Sequence, residues 1–181
     1  MFRLTYKDDG SEHGDLCLEC GEHVSRGDSY FLALDRLVEP KSTTPDKVRH
    51  VLRLMFSHWI DVVREGAAEP VYLLVELFDQ CTRWIEVHPV NDQVELRLGW
   101  STREGYALIP SRDAVHRCAP EGFEAEVDHP ECVMEKSDLI RAIERCRGML
   151  DIQACSTTDP TSILEHYRGA YGSQLLVAAV A

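Results

Sequence analysis

Residues 70–110, PVYLLVELFDQCTRWIEVHPVNDQVELRLGWSTREGYALIP, decide the fold. Val71, Leu73, Val75 and Leu77 alternate with Tyr72, Leu74, Glu76 and Phe78, and Asp79-Gln80 breaks the run. Ile85 and Val87 then alternate with Trp84, Glu86 and His88, up to a turn at Asn91-Asp92. Val94, Leu96, Leu98 and Trp100 alternate with Gln93, Glu95, Arg97 and Gly99, a third turn spans Ser101 to Gly105, and Tyr106 to Ile109 closes the set. A period of two over segments of this length predicts strands with one buried face. Connections this short force neighbouring strands to run antiparallel. The expectation is an antiparallel meander of four strands.

What precedes the meander supplies its cover. Thr44-Pro45-Asp46 is a strong helix start: a hydroxyl cap, proline at the first helical position and an acid in the first turn. Val48, Val51, Leu52, Met55, Trp59, Val62 and Val63 follow at helical spacing, Arg49, Arg53, His58 and Asp61 fall off that stripe, and Gly66 ends it. The stripe is expected to cover one face of the meander. Further upstream, Phe2, Leu4 and Tyr6 predict a first strand, Asp8 to Gly14 a turn, and Leu16 and Leu18 a partner strand. Gly21 and Gly27 flank another short segment, and Tyr30 to Val38 reads as either strand or helix, a short helix ended by Glu39-Pro40 being preferred.

Downstream, Ser111 to Gly122 is irregular, and Phe123, Ala125 and Val127 predict a strand interrupted by His129-Pro130. Ser137 caps a helix with the stripe Leu139, Ile140, Ile143, Cys146, Met149 and Leu150. Asp159-Pro160 opens a shorter one, and Ser173 to Ala181 is a terminal apolar segment. The fold class is α+β, an antiparallel meander with amphipathic helices packed on one face. The chain reads as one domain over 1–181: an N-terminal hairpin region 1–40, a main helix 41–66, the meander 70–110 and a C-terminal strand and helices 111–181.

The 181 residues are enough for a full core, and 44% hydrophobic with 28% charged residues is the composition of a soluble globular protein. No run approaches the roughly 18 apolar residues of a membrane span, and Met1 to Gly10 has no apolar signal region. Seven cysteines, at 17, 20, 81, 118, 132, 146 and 155, read as reduced thiols of a cytoplasmic protein. The net charge of -12 argues against binding nucleic acid through its phosphates and allows a basic partner.

Chemistry-bearing motifs are few. Cys17-Leu18-Glu19-Cys20-Gly21 is similar to half of a zinc ribbon, a spacing that lets two sulfurs reach one tetrahedral ion. The best completing pair is His129 with Cys132, with His13 or His23 as local alternatives, so Cys17, Cys20, His129 and Cys132 form the candidate zinc set. No Gly-x-Ser-x-Gly, phosphate loop or His-Glu-x-x-His occurs. Cys81 with His88, Cys118 with His116, and Glu124 with Glu126 are the remaining pairs of the type catalysis uses, each without an indicated third group.

Charge distribution is more informative. Six acids (Asp8, Asp9, Glu12, Asp15, Glu19, Glu22) and no Lys or Arg occupy Asp8 to Glu22. Seven acids (Glu121, Glu124, Glu126, Asp128, Glu131, Glu135, Asp138) stand against one Lys between Glu121 and Asp138. If the two segments converge they make a field able to steer a basic partner; if they diverge each is a solvated loop. The candidate partner-binding set is Asp8, Asp9, Glu12, Asp15, Glu121, Glu124, Glu126 and Asp128, with Trp84, Trp100 and Tyr106, and Tyr72 beside them, as aromatic anchors.

The runs Phe78-Asp79-Gln80-Cys81-Thr82-Arg83-Trp84 and Gly99-Trp100-Ser101-Thr102-Arg103-Glu104-Gly105-Tyr106 follow an amphipathic helix and precede a late Ser137-Asp138-Leu139-Ile140 helix. This layout, over residues 44 to 150, resembles small bacterial immunity proteins of polymorphic and contact-dependent toxin systems. The resemblance implies an acidic, cytoplasmic, non-catalytic α+β domain that neutralises a toxin by covering its active site or blocking its assembly. Cys17 and Cys20 lie outside it. The alternatives are a phage-encoded anti-defence inhibitor, which the same acidic surface would serve, and a small zinc-binding interaction module.

Overall fold

The computed structural model describes residues 2–8, 13, 15–39, 44–127 and 131–156, the last five without their side chains. The helix expected from Asp159-Pro160 and the segment Ser173 to Ala181 lie outside the described residues. Two antiparallel sheets and three α-helices make an α+β fold. Strands β1 (Phe2–Tyr6), β2 (Leu16–Cys20) and β3 (His23–Gly27) form a three-stranded sheet in sequence order. A 3₁₀ turn, Tyr30–Leu34, leads towards α1 (Thr44–Glu65). Strands β4 (Val71–Leu77), β5 (Thr82–Val90) and β6 (Gln93–Ser101) are the meander. A second 3₁₀ turn, Gly105–Ala107, and α2 (Pro110–Asp113) follow, then the short β7 (Val115–His116), β8 (Glu124–Ala125), β9 (Cys132–Glu135) and the long α3 (Lys136–Ser156).

Helix α1 forms where the sequence places it. Gly66, at φ 69°, takes the left-handed conformation that ends a helix and that a side chain resists. All seven residues of the anticipated stripe are buried, and Phe56, Ile60 and Arg49 join them. Burial of each large apolar side chain is worth about 1.5–3 kcal/mol, so this face is a principal source of stability. Arg49 departs from its expected solvent position because Asp8 and Asp46 meet its guanidinium.

The meander differs from expectation in two ways. Its fourth member is absent as a strand: Gly105–Ala107 coils into the 3₁₀ turn, fastened by the Gly105 N–H to the Phe78 carbonyl at 2.8 Å. The edge beyond β4 is closed instead by β7, and beyond β6 by β8 and β9. Nor is one face exposed throughout, since every residue of β4 is buried. Registers place Leu73, Ile85 and Leu98 on one face, and Leu74, Trp84 and Gly99 on the other. The first face shares its core with the three-stranded sheet, α1 and α3. The second is roofed by the 110–125 segment: His116 lies on Trp84, Phe123 on Tyr72, and the Leu74 N–H donates to the Ala114 carbonyl at 3.0 Å. The segment expected to be irregular is therefore a lid on the sheet. No helix among the described residues is long and apolar enough to cross a membrane.

Candidate functional site

The zinc set does not assemble among the described residues. Cys17 and Cys20, three positions apart on β2, point to opposite faces of the strand. Cys20 is bonded to Cys132 as a disulfide, with Cα atoms 6.1 Å apart. His129 lies outside the described residues, and no group of metal-ligating side chains is present among those described. Cys20 and Cys132, one from each half of the candidate set, meet as a disulfide rather than as metal ligands, and the expectation of seven reduced thiols is corrected by this bond. Cys17, Cys81, Cys118 and Cys146 are free. Burial pushes the Cys146 thiol up to about 12. Burial, with Glu76 nearby, also raises Cys81, the opposite of what activates a nucleophile.

The acidic candidates separate into three groups. Asp15, 3% exposed, is internal: it accepts the Ser29 N–H at 2.9 Å and the Ser29 hydroxyl, holding the loop after β3. Asp8 accepts from Arg49 at 2.6 Å, and Glu126 takes the Arg83 guanidinium in a two-pronged pair at 2.7 and 2.9 Å. These three acids serve the fold rather than a partner surface. Glu121 and Glu124 are exposed at the β8 edge. Asp9, Glu12 and Asp128 lie outside the described residues. The Cys20–Cys132 bond brings the ends of the two acidic segments together, but Glu19 meets Arg3 and Glu131 meets Arg97 there. The described parts of the two segments meet at this bond, and the acids beside it are matched by arginines.

The aromatic anchors are redistributed too. Trp84 has no exposed surface; its Nε1–H donates to Thr82 Oγ1 at 2.8 Å, so it is a core residue. Tyr72 is buried, its hydroxyl donating to Glu86. Trp100 is half-buried against Phe78 and under the Arg83 guanidinium, 5.1 Å from its ring centre. Tyr106 alone stands out, 67% exposed.

Tyr106 has company that the sequence left unmarked. Leu34, also 67% exposed, lines with it a concavity of about 210 Å³ whose other walls include Phe31, Leu77, Leu108 and Pro110. Arg36 and Asp79 also line it, and the exposed Tyr30 and Leu37 belong to the same 30–38 loop. One carboxylate beneath the concavity ties its walls together. Asp35, buried, accepts the N–H groups of Leu37 (2.9 Å), Val38 (3.2 Å) and Ser111 (2.7 Å), tying the first 3₁₀ turn to α2. The signal was available: Tyr30-Phe31-Leu32-Ala33-Leu34 is apolar all round, so a turn that buries Leu32 must leave other apolar groups outside. A clustered exposed apolar surface is the ordinary mark of a contact site.

Compared with protein-family models, curated proteins and solved structures, the chain matches none.

Proposed function

We propose that this chain is a non-catalytic inhibitor that docks a basic protein, most simply an immunity protein that covers a cognate bacterial toxin. The observation that carries the proposal is the concavity edged by Leu34 and Tyr106, an exposed apolar and aromatic surface whose walls Asp35 ties together. Aromatic side chains standing beside a preformed hollow are the form that interface hot spots take. The net charge of -12 supplies the complementary long-range part: it draws a basic partner in from a distance even where local carboxylates are paired. The docking surface is thus separate from the acidic segments, which act through the field of the whole molecule.

Expression of the adjacent gene's product in a sensitive host, with and without this chain, tests the role. Restored growth with the wild-type chain, lost for Leu34→Asp with Tyr106→Ala, is the expected outcome. A host killed equally in the presence and absence of the chain, both proteins being soluble, would count against it.

A further inference from the structure

The polar groups between the two sheets form a device of their own. Glu76, on β4, points at the loop after β3 and is 3% exposed. Its Oε1 accepts the Asp28 N–H at 2.7 Å, and its Oε2 lies 3.9 Å from the Arg83 guanidinium, beyond hydrogen-bonding distance. A Cβ on Gly27 would sit 3.2 Å from the same carboxylate, so the absence of a side chain there permits the approach. Arg83 is committed elsewhere, to Glu126 and to the Arg26 carbonyl at 3.2 Å. The seat of the three-stranded sheet on the meander therefore holds a buried carboxyl whose nearest cation belongs mainly to another acid.

The other groups facing it do not relieve this. Asp28 and Asp15, from the loops flanking β3 and β2, add negative charge. Asp28 is paired with His13 at 2.9 Å, and Asp15 with Ser29. Cys81, just before β5, is a neutral thiol beside it. Beyond Asp15, Tyr6 on β1 is held neutral by burial, and Asp8 and Arg49 near it pair with each other.

We infer that protonation of Glu76 controls how tightly the three-stranded sheet is seated on the meander. With the carboxyl neutral, the Asp28 N–H bond is kept without burying a charge; with it ionised, a buried charge that Arg83 offsets only from 3.9 Å faces Asp28 and Asp15. Release is confined to one end. Gly27 pairs with Leu16 at one end of the β2–β3 hairpin, and Cys20 pairs with His23 at the other, where the disulfide fixes it to β9. The hairpin is pinned at Cys20 and held at Gly27–Asp28 by the state of Glu76. Burial pushes the Glu76 carboxyl up to about 7, the Asp28 and Asp15 charges adding to it and the Asp28 N–H bond and Arg83 opposing it, which puts the change near neutrality. A folded-state value above the unfolded one means the stabilisation is complete below about 4.5 and is lost as pH rises through about 7.

Amide protection factors of the full chain at pH 5.5, 7 and 8.5 test this. In the wild type, protection over β2 and β3 is expected to fall at least about tenfold across that range, while central α1 amides change less. Glu76→Gln keeps the acceptor for the Asp28 N–H and should abolish the fall. His13, the partner of Asp28, is retained in that variant, so its effect cancels. Should Glu76→Gln fail to fold, Asp28→Asn decides: removing the neighbouring carboxylate must move the loss to lower pH. A wild-type profile flat with pH, parallel profiles for wild type and Glu76→Gln, or an unmoved midpoint in Asp28→Asn overturns the inference.

Discussion

Asp35 shows how much a single carboxylate can organise. Three backbone donors from two elements converge on it, and each would be left unpaired by truncation. An unsatisfied buried donor costs about 1–3 kcal/mol. Asp35→Ala is expected to lower stability by about 3 kcal/mol or more, and Asp35→Asn, which keeps one acceptor, by about half of that; denaturant midpoints measure both. An alanine variant with an unchanged midpoint would mean that the donors find other partners. Trp59 is the apolar counterpart: fully packed, it also donates Nε1–H to the Ala114 carbonyl at 3.1 Å. Trp59→Ala should cost about 3–5 kcal/mol, again read from urea unfolding. Single residues were also where sequence reasoning was least secure. Trp84 sits between Arg83 and Ile85, and Tyr106 between Gly105 and Ala107, and neither setting marks one ring as buried and the other as exposed. What buries Trp84 is His116, which lies 32 positions along the chain and arrives only through the β4–β7 pairing.

Elements were read well where their periodicity was long and poorly where they were short. The 22 residues of α1 carry a cap, a stripe and a terminating glycine that all agree, and agreement between levels makes an element legible. Strands β4, β5 and β6 announce themselves by alternation. The 3₁₀ turn at Gly105–Ala107 does not, because its conformation is fixed by a carbonyl of the β4–β5 connection. Strand β9 was missed because four residues offer too few periods to count. The disulfide belongs to this scale, since it joins β2 to β9 across 112 positions. Cross-linking so long a loop is worth about 2–5 kcal/mol. Cys20→Ser with Cys132→Ser should lower the urea midpoint accordingly, and a thiol reductant should lower the wild-type midpoint by a similar amount while leaving the variant unmoved. A wild-type midpoint indifferent to reductant would show that the bond contributes nothing in solution.

For the molecule as a whole, charge and apolar surface turn out to be separate resources. Sequence reasoning located the acidic segments and proposed that aromatics would rim them. Folding instead matches Asp8, Glu19, Glu126 and Glu131 with arginines and gathers exposed apolar groups around Tyr106 and Leu34. Pairing across the fold is set by tertiary register, which a count of acids and bases along the chain does not contain. The net charge survives this pairing, so association with a basic partner should slow as salt screens it over the Debye length of about 10 Å at 0.1 M. Dissociation, set by the apolar contact, should respond little. The direct measurement is stopped-flow binding of the adjacent gene's product to the wild type and to Leu34→Asp with Tyr106→Ala, at 50 and 500 mM salt. The account predicts a wild-type on-rate that falls about tenfold or more with salt, and a variant with a similar on-rate but much faster dissociation. Tight binding by the variant with unchanged dissociation would contradict the claim that this concavity is where the partner is held.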